Sequence, residues 1–433
     1  MTSTPPPTPA PDEPDSAVEP PAPATADAPD LVPLTEPSEG VPEVVVTEAG
    51  LRDVITAFTA GHGPVAVDAE RASGYRYGQA AYLVQLRRDG AGTALIDPQA
   101  LPDLGALGSA LAGTEWVLHA AGQDLPCLAE VNMVPGRVFD TELAGRLLGR
   151  ERVGLGAMVA AELGLELAKE HSAADWSTRP LPQAWLRYAA LDVEVLVALR
   201  DRLHDELEQA GKLEWAWQEF DAVRTAPPPP PRLQPWRRTS GSHQVRDPLG
   251  LAIVRELWQV RDAEARRVDI SPGRLLSDSA IVAAATTRPS TLAELTALRP
   301  FKHKAAARRS RLWFDAVARA TALPASDHPA RRGPASDTLP PPRAWKDRNP
   351  PAARRLDAVR LTVRTRAEEL ALPQENLLTP EYQRRLAWDP PREHSTEGVA
   401  AALAALGARP WQIDQLAAPL ATALHAGPED GLG

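Results

Sequence analysis

Pro64-Val65-Ala66-Val67-Asp68-Ala69-Glu70, residues 64–70, is a short β-branched run that closes on two carboxylates. The pattern predicts a strand, and residues i and i+2 of a strand project from one face. Asp68 and Glu70 can therefore converge on one cation. Beyond it, Tyr82 to Leu86 and Thr93 to Ile96 are apolar runs at hairpin spacing, with Gly90 and Gly92 between them, and predict antiparallel strands. Leu101 to Leu111 has helical spacing of leucine, and Trp116-Val117-Leu118 predicts a further strand. Helical patterns recur at about 123–132, 140–149, 155–164 and 182–208. Early strands followed by later helices predict an α/β domain, a mixed sheet flanked by helices.

Two further carboxylates stand where chemistry could use them. Asp124 follows the strand at 116–118 through His119-Ala120-Ala121-Gly122-Gln123. Taken singly, it reads as a helix-start acid stabilised by the helix dipole. Tyr188-Ala189-Ala190-Leu191-Asp192 lies inside a helical pattern, where i and i+4 stack a phenol next to a carboxylate. Four acids from two strand ends and a late helix can hold two divalent metals, with oxygen donors suited to Mg²⁺ or Mn²⁺. Two metals ~4 Å apart stabilise the attacking and leaving oxygens of a phosphodiester, and Tyr188 would orient and help deprotonate the attacking water.

The set, in this order, resembles ribonuclease D and the wider DEDDy group of 3′–5′ exonucleases. The resemblance runs from about Val65 to Leu203 and includes Asp68-x-Glu70, His119 with Asp124, Tyr188-x-x-x-Asp192, and the stretch Lys169 to Pro180 with Asp175-Trp176-Ser177-x-Arg179-Pro180-Leu181. It implies a ribonuclease H-like fold, with Asp68, Glu70, Asp124 and Asp192 as metal ligands and Tyr188 positioning the water. It implies RNA 3′ ends as substrate, transfer RNA precursors among them. Many relatives carry an aromatic residue directly after the glutamate, where this chain has Arg71; a guanidinium there can stack on a base or contact a phosphate. His119 reads either as a nucleic-acid contact or as a hydrogen-bonding residue at a strand end. Lys169 and Arg179 read either as phosphate contacts or as partners of nearby acids. Gly154-x-Gly156 lacks a third glycine and reads as a helix-start turn.

Taken as a total, the formal charge of −10, from 47 Lys+Arg and 57 Asp+Glu, argues against nucleic acid. Its distribution removes the objection. Residues 1–50 hold ten acids, no Lys or Arg, and thirteen prolines, and predict a disordered acidic tail. Residues 51–222, the exonuclease domain, hold 15 basic and 25 acidic residues; residues 223–433 hold 32 and 22. The sign changes at Pro227 to Pro231, a stiff spacer within a Pro/Arg linker over 223–244. The single cysteine, Cys127, excludes a disulfide framework and fits a reducing, cytoplasmic setting. No apolar run reaches the ~18–20 residues of a membrane span, and no signal or transit peptide is expected.

Residues 245–320 carry 14 basic and 8 acidic residues and read as all-helical. Leu251, Val254, Leu257 and Trp258 mark one stripe, Ser271-Pro272 opens a segment leading to Leu275-Leu276, and a last helix starts near Lys304. This arrangement resembles an HRDC domain. Lys302, Lys304, Arg308 and Arg309 are candidate phosphate contacts, against the alternative of a solvated helix face. After a linker over 321–342, residues 343–425 repeat the pattern, Leu377-Leu378 after Pro373 matching Leu275-Leu276 after Pro272, and predict a divergent HRDC-like domain. The expected function is a 3′–5′ exoribonuclease. The alternatives are a nuclease acting mainly on DNA, or a non-catalytic RNA-binding protein with a vestigial site.

Overall fold

The structure, a computed structural model, describes residues 31–168, 174–333 and 339–425. Strands β1 (Val32–Leu34) and β2 (Val44–Val45) precede helix α1 (Glu48–Ala60). Strands β3 (His62–Arg71), β4 (Ala81–Asp89) and β5 (Gly92–Ile96) follow, then α2 (Gly105–Ala110), β6 (Glu115–Leu118), α3 (Leu125–Glu130) and β7 (Arg137–Asp140). The domain continues through α4 (Thr141–Leu147), α5 (Leu155–Leu163), β8 (Leu165–Leu167), α6 (Gln183–Glu194), α7 (Leu196–Gln209) and α8 (Leu213–Arg224). Six strands form one mixed sheet in the order β2-β5-β4-β3-β6-β7. β3, β4 and β5 are antiparallel, and β6, β7 and β2 join parallel to their neighbours. Val65, Ala66 and Val67 are fully buried, because β3 is central and both its faces are covered.

Three expectations are corrected here. Residues 1–30 of the expected tail lie outside the described residues, but residues 31–47 are built into the domain. Val44 and Val45 pair with Leu95 and Ile96 at the sheet edge, Arg187 binds Glu36 at 2.9 Å, and Arg87 binds Glu39 at 3.3 Å. These acids have cationic partners far along the chain, which composition cannot show. The linker over 223–244 also contains structure: Trp236 is 4% exposed and belongs to the core of the following helical domain. The helical pattern at 182–208 is two helices, α6 and α7, parted at Val195.

The first helical domain runs through α9 (Pro248–Val268), α10 (Pro272–Leu275), α11 (Asp278–Thr287), α12 (Leu292–Ala297), α13 (Lys304–Ala307) and α14 (Ser310–Ala322). The second comprises α15 (Trp345–Arg348), α16 (Pro350–Glu369), α17 (Gln374–Leu377), α18 (Pro380–Trp388), α19 (Thr396–Leu406) and α20 (Pro410–His425). The repeated leucine pairs have one geometry. Leu276 (φ −149°, ψ 118°) and Leu378 (φ −156°, ψ 122°) both end a short helix in extended backbone, and Ser277 and Thr379 each cap the next one. The second helical domain shares a hydrophobic core with α4, α7 and α8. Trp411 stacks on Trp215 at 4.9 Å and donates from Nε1 to Glu219 Oε1 at 2.9 Å.

Candidate active site

β3 carries Asp68 and Glu70 near its C-terminal end, and α6 packs against it with Asp192. Each of these three residues places a carboxylate oxygen within 4.8 Å of the other two. Tyr188, one turn before Asp192, hydrogen-bonds its carboxylate. Asp124 stands outside that trio. It is buried, just after the 3₁₀ turn Ala121–Gln123, and Arg71 Nη2 lies 3.8 Å from its Oδ1. The charge of Asp68 nevertheless acts on it.

Burial and mutual repulsion govern the electrostatics. Burial, then the charges of Asp68, Asp192 and Asp124, push Glu70 up to about 10. Burial and Asp68 push Asp124 up to about 8. Asp192 is raised well above the carboxylate range by burial and Asp68. Asp68 is raised by burial in spite of hydrogen bonds from the Ala69 N–H and Gln85 and the nearby Arg71. A group of acids, Asp124 buried and Asp68, Glu70 and Asp192 half-buried, that cannot all ionise alone and offers only oxygen donors fits a hard divalent cation. Cys127 is no competing ligand: burial pushes its thiol up to about 12, and Sγ donates to the Asp124 carbonyl at 3.1 Å.

Two positioning residues escaped the sequence reading. Gln85, opposite Asp68 in the β3–β4 register, donates from Nε2 to Asp68 Oδ2 at 2.6 Å. Its signal was a glutamine inside the apolar run 82–86. Asp140 is buried at the end of β7 and accepts the N–H groups of Ala120 and Ala121 at 3.1 and 2.8 Å, fixing the turn before Asp124. Replacing Gln85 by Leu removes the donor that orients Asp68. Supporting residues of this kind are worth 10–100-fold in metal affinity or activity. We expect the half-saturating metal concentration to rise by about that factor, read from rate against metal concentration.

The stretch 174–181 locks α6 in place. Trp176 is fully buried, with its ring 5.4 Å from Trp185 and 6.4 Å from Tyr188. Arg179 is a structural clamp and not a phosphate contact. It binds Asp97 through Nε at 2.6 Å and Nη2 at 2.8 Å, and donates to the carbonyls of Tyr82, Trp176 and Thr178. Lys169 lies outside the described residues. Asp97 is buried but Arg179 is exposed, so the cost of Arg179→Ala is that of leaving Asp97 without its donors, about 1–3 kcal/mol in urea unfolding; unchanged stability with a raised KM would restore the phosphate reading.

The remaining expected nucleic-acid contacts divide. Arg71 faces Asp124 and lies 3.5 Å from Gln123 Oε1, within the site. Of the two readings of His119, the hydrogen-bonding one has the support: burial lowers its pKa to about 4, and its Nδ1 lies 2.9 Å from Thr141 Oγ1. Gly154 is the extended N-cap of α5, a helix-start turn as its spacing suggested. Lys304, Arg308 and Arg309 line a cleft between the exonuclease and first helical domains, and Lys302 is exposed away from its lining.

Comparison with known proteins gives the class first. Residues 42–208 match a family model described as 3′-5′ exonuclease, residues 250–317 the HRDC domain, and residues 338–424 a model described as 3′ to 5′ exonuclease C-terminal domain. A ribonuclease D of Acidiphilium cryptum is 32% identical over 333 residues, covering 73% of this chain and 80% of the relative. One of Granulibacter bethesdensis is 34% identical over 220 residues, covering 49% of this chain and only 55% of the relative. A crystal structure of a protein from Bifidobacterium adolescentis superposes with a TM-score of 0.83 at 40% identity, covering 91% of this chain and all of that one. The chain belongs to the ribonuclease D family.

Proposed function

We propose that this chain is a metal-dependent 3′–5′ exoribonuclease that removes nucleoside 5′-monophosphates one at a time from RNA 3′ ends. The observation that carries the reading is the convergence of Asp68, Glu70 and Asp192 within 4.8 Å. Asp68, Glu70, Asp124 and Asp192 would hold Mg²⁺ or Mn²⁺, which would supply Lewis-acid stabilisation of the charge developing on the phosphate. Tyr188 is held by Asp192, while burial and the neighbouring carboxylates raise its phenol above the ordinary tyrosine range. From there Tyr188 would orient, and help deprotonate, the attacking water. Gln85 and Asp140 keep the two strand-end acids in register.

Among the described residues no helix is long and apolar enough to cross a membrane, and the single buried Cys127 is consistent with a reducing cytoplasmic setting. The test compares RNA and DNA oligomers of one sequence with free 3′ hydroxyls. Metal-dependent shortening of RNA ahead of DNA supports the proposal, and a preference for DNA replaces its substrate.

A further inference from the structure

We propose that the second helical domain positions Asp124 for the metal site, acting through helix α8, with Glu219 and Trp411 as the positioning residues. This rests on the metal-dependent reading of the four carboxylates and specifies what keeps the one outside the trio in place.

Asp124 needs outside support. It follows a single 3₁₀ turn, Ala121–Gln123, entered through Ala120 at φ 58° and ψ 50°. An alanine keeps that left-handed conformation only where its surroundings fix it. Asp140 supplies part of the support by accepting the Ala120 and Ala121 N–H groups. Helix α8 adds to it at two points. Val223 Cγ1 lies against the turn, where a Cβ on Gly122 would be 3.7 Å from it. Phe220 and Trp217 hold Phe139, the residue before Asp140, with ring centroids 4.8 and 5.8 Å away. The turn and the carboxylate that ties it down thus rest on one helix.

That helix is gripped on another face by the second helical domain. Trp215, Gln218 and Glu219, at i, i+3 and i+4 of α8, meet the start of α20, whereas Phe220 and Val223 lie toward β7 and the turn. Besides the Trp215 stack and the Glu219–Trp411 bond, Arg409 Nη2 lies 2.9 Å from Glu219 Oε2, and the Trp411 N–H donates to Gln218 Oε1 at 3.0 Å. Glu219 is buried, and breaking a buried charge pair is costly, so its side chain is fixed by these partners. Coupling between sites is carried by chains of packed side chains and charge networks of this kind. Here the chain runs from Trp411 through Glu219, α8 and Val223 to the turn before Asp124.

The test uses the full chain with Trp411→Phe, which keeps a ring and removes the donor, and separately Glu219→Gln, which keeps the size and removes the charge. Val223→Ala removes the contact at the turn. The control is Gln383→Ala, because Gln383 Nε2 donates to the Leu378 carbonyl at 2.7 Å, a bond made wholly inside the second helical domain. Mn²⁺ is titrated into the RNA-free protein and followed by electron paramagnetic resonance. Residues that support metal ligands from outside are worth 10–100-fold in affinity, so the Mn²⁺ dissociation constant should rise about tenfold in Trp411→Phe, Glu219→Gln and Val223→Ala. It should keep its wild-type value in Gln383→Ala. Unchanged constants in Trp411→Phe and Glu219→Gln overturn the proposal, as does an equal rise in Gln383→Ala, which would mean general loosening. In EDTA the Ala120 and Ala121 amides should exchange with solvent about tenfold faster in the first three variants. Should the wild type bind no Mn²⁺, the metal-dependent reading has failed, and amide exchange then decides the coupling alone. Wild-type exchange rates in Trp411→Phe and Glu219→Gln would overturn it there too.

Discussion

Asp192→Asn is expected to abolish exonuclease activity while leaving the fold intact. The change keeps the side chain's size and its place one turn after Tyr188, but it removes a negative charge from a trio whose oxygens lie within 4.8 Å of one another. A metal supplies several kcal/mol of transition-state stabilisation, and each ~1.4 kcal/mol is a factor of ten in rate. The loss should therefore reach at least about 10³-fold. Because Asp192 is raised by burial and by Asp68, the amide also relieves repulsion, so the metal-free variant should be at least as stable as the wild type. A variant that is inactive and unfolded would point to a packing role for Asp192; one that is folded and active would remove it from the site.

The second large effect is a pH-dependent stabilisation by metal. Glu70, pushed up to about 10, and Asp124, pushed up to about 8, hold protons in the folded protein that they release when unfolded. Between the unfolded carboxylate pKa of ~4 and those raised values, the folded state binds more protons than the unfolded one, so stability falls as pH rises. The slope is at most ~1.4 kcal/mol per pH unit for each such group. In EDTA the melting temperature should therefore drop between pH 5.5 and pH 8, by about 2–4 °C per kcal/mol for a domain of this size. Mg²⁺ or Mn²⁺ competes with those protons and should raise the melting temperature more at pH 8 than at pH 5.5. A melting temperature that ignores both pH and metal would contradict a carboxylate site built to hold a cation.

The carboxylates were legible because their spacing is local. Asp68 and Glu70 sit at i and i+2 of a strand, and Tyr188 and Asp192 at i and i+4 of a helix, so secondary structure alone sets their faces. What supports them was not, because the partners are remote in sequence. Asp97 and Arg179 are 82 residues apart, and Asp140 holds a turn 19 and 20 residues before it. Strand β7, Arg137–Asp140, fell between the helices expected at about 123–132 and 140–149, because four residues carry too little periodicity. Residues 31–47 shared the acidic, proline-rich composition of the tail. Their order comes from the sheet edge at Leu95–Ile96 and from Arg87 and Arg187, none of which a local window contains. Trp236 was similarly hidden behind five prolines, though its ring completes the HRDC core.

The central claim is that these four carboxylates drive metal-dependent hydrolysis from the RNA 3′ end. The direct measurement incubates the full chain with a 5′-labelled, 3′-hydroxyl RNA and Mg²⁺ or Mn²⁺, with EDTA and Asp68→Ala as controls. Stepwise shortening from the 3′ end is expected, with nucleoside 5′-monophosphates as products, and neither in EDTA nor with Asp68→Ala. Undiminished degradation in EDTA or by Asp68→Ala would contradict it.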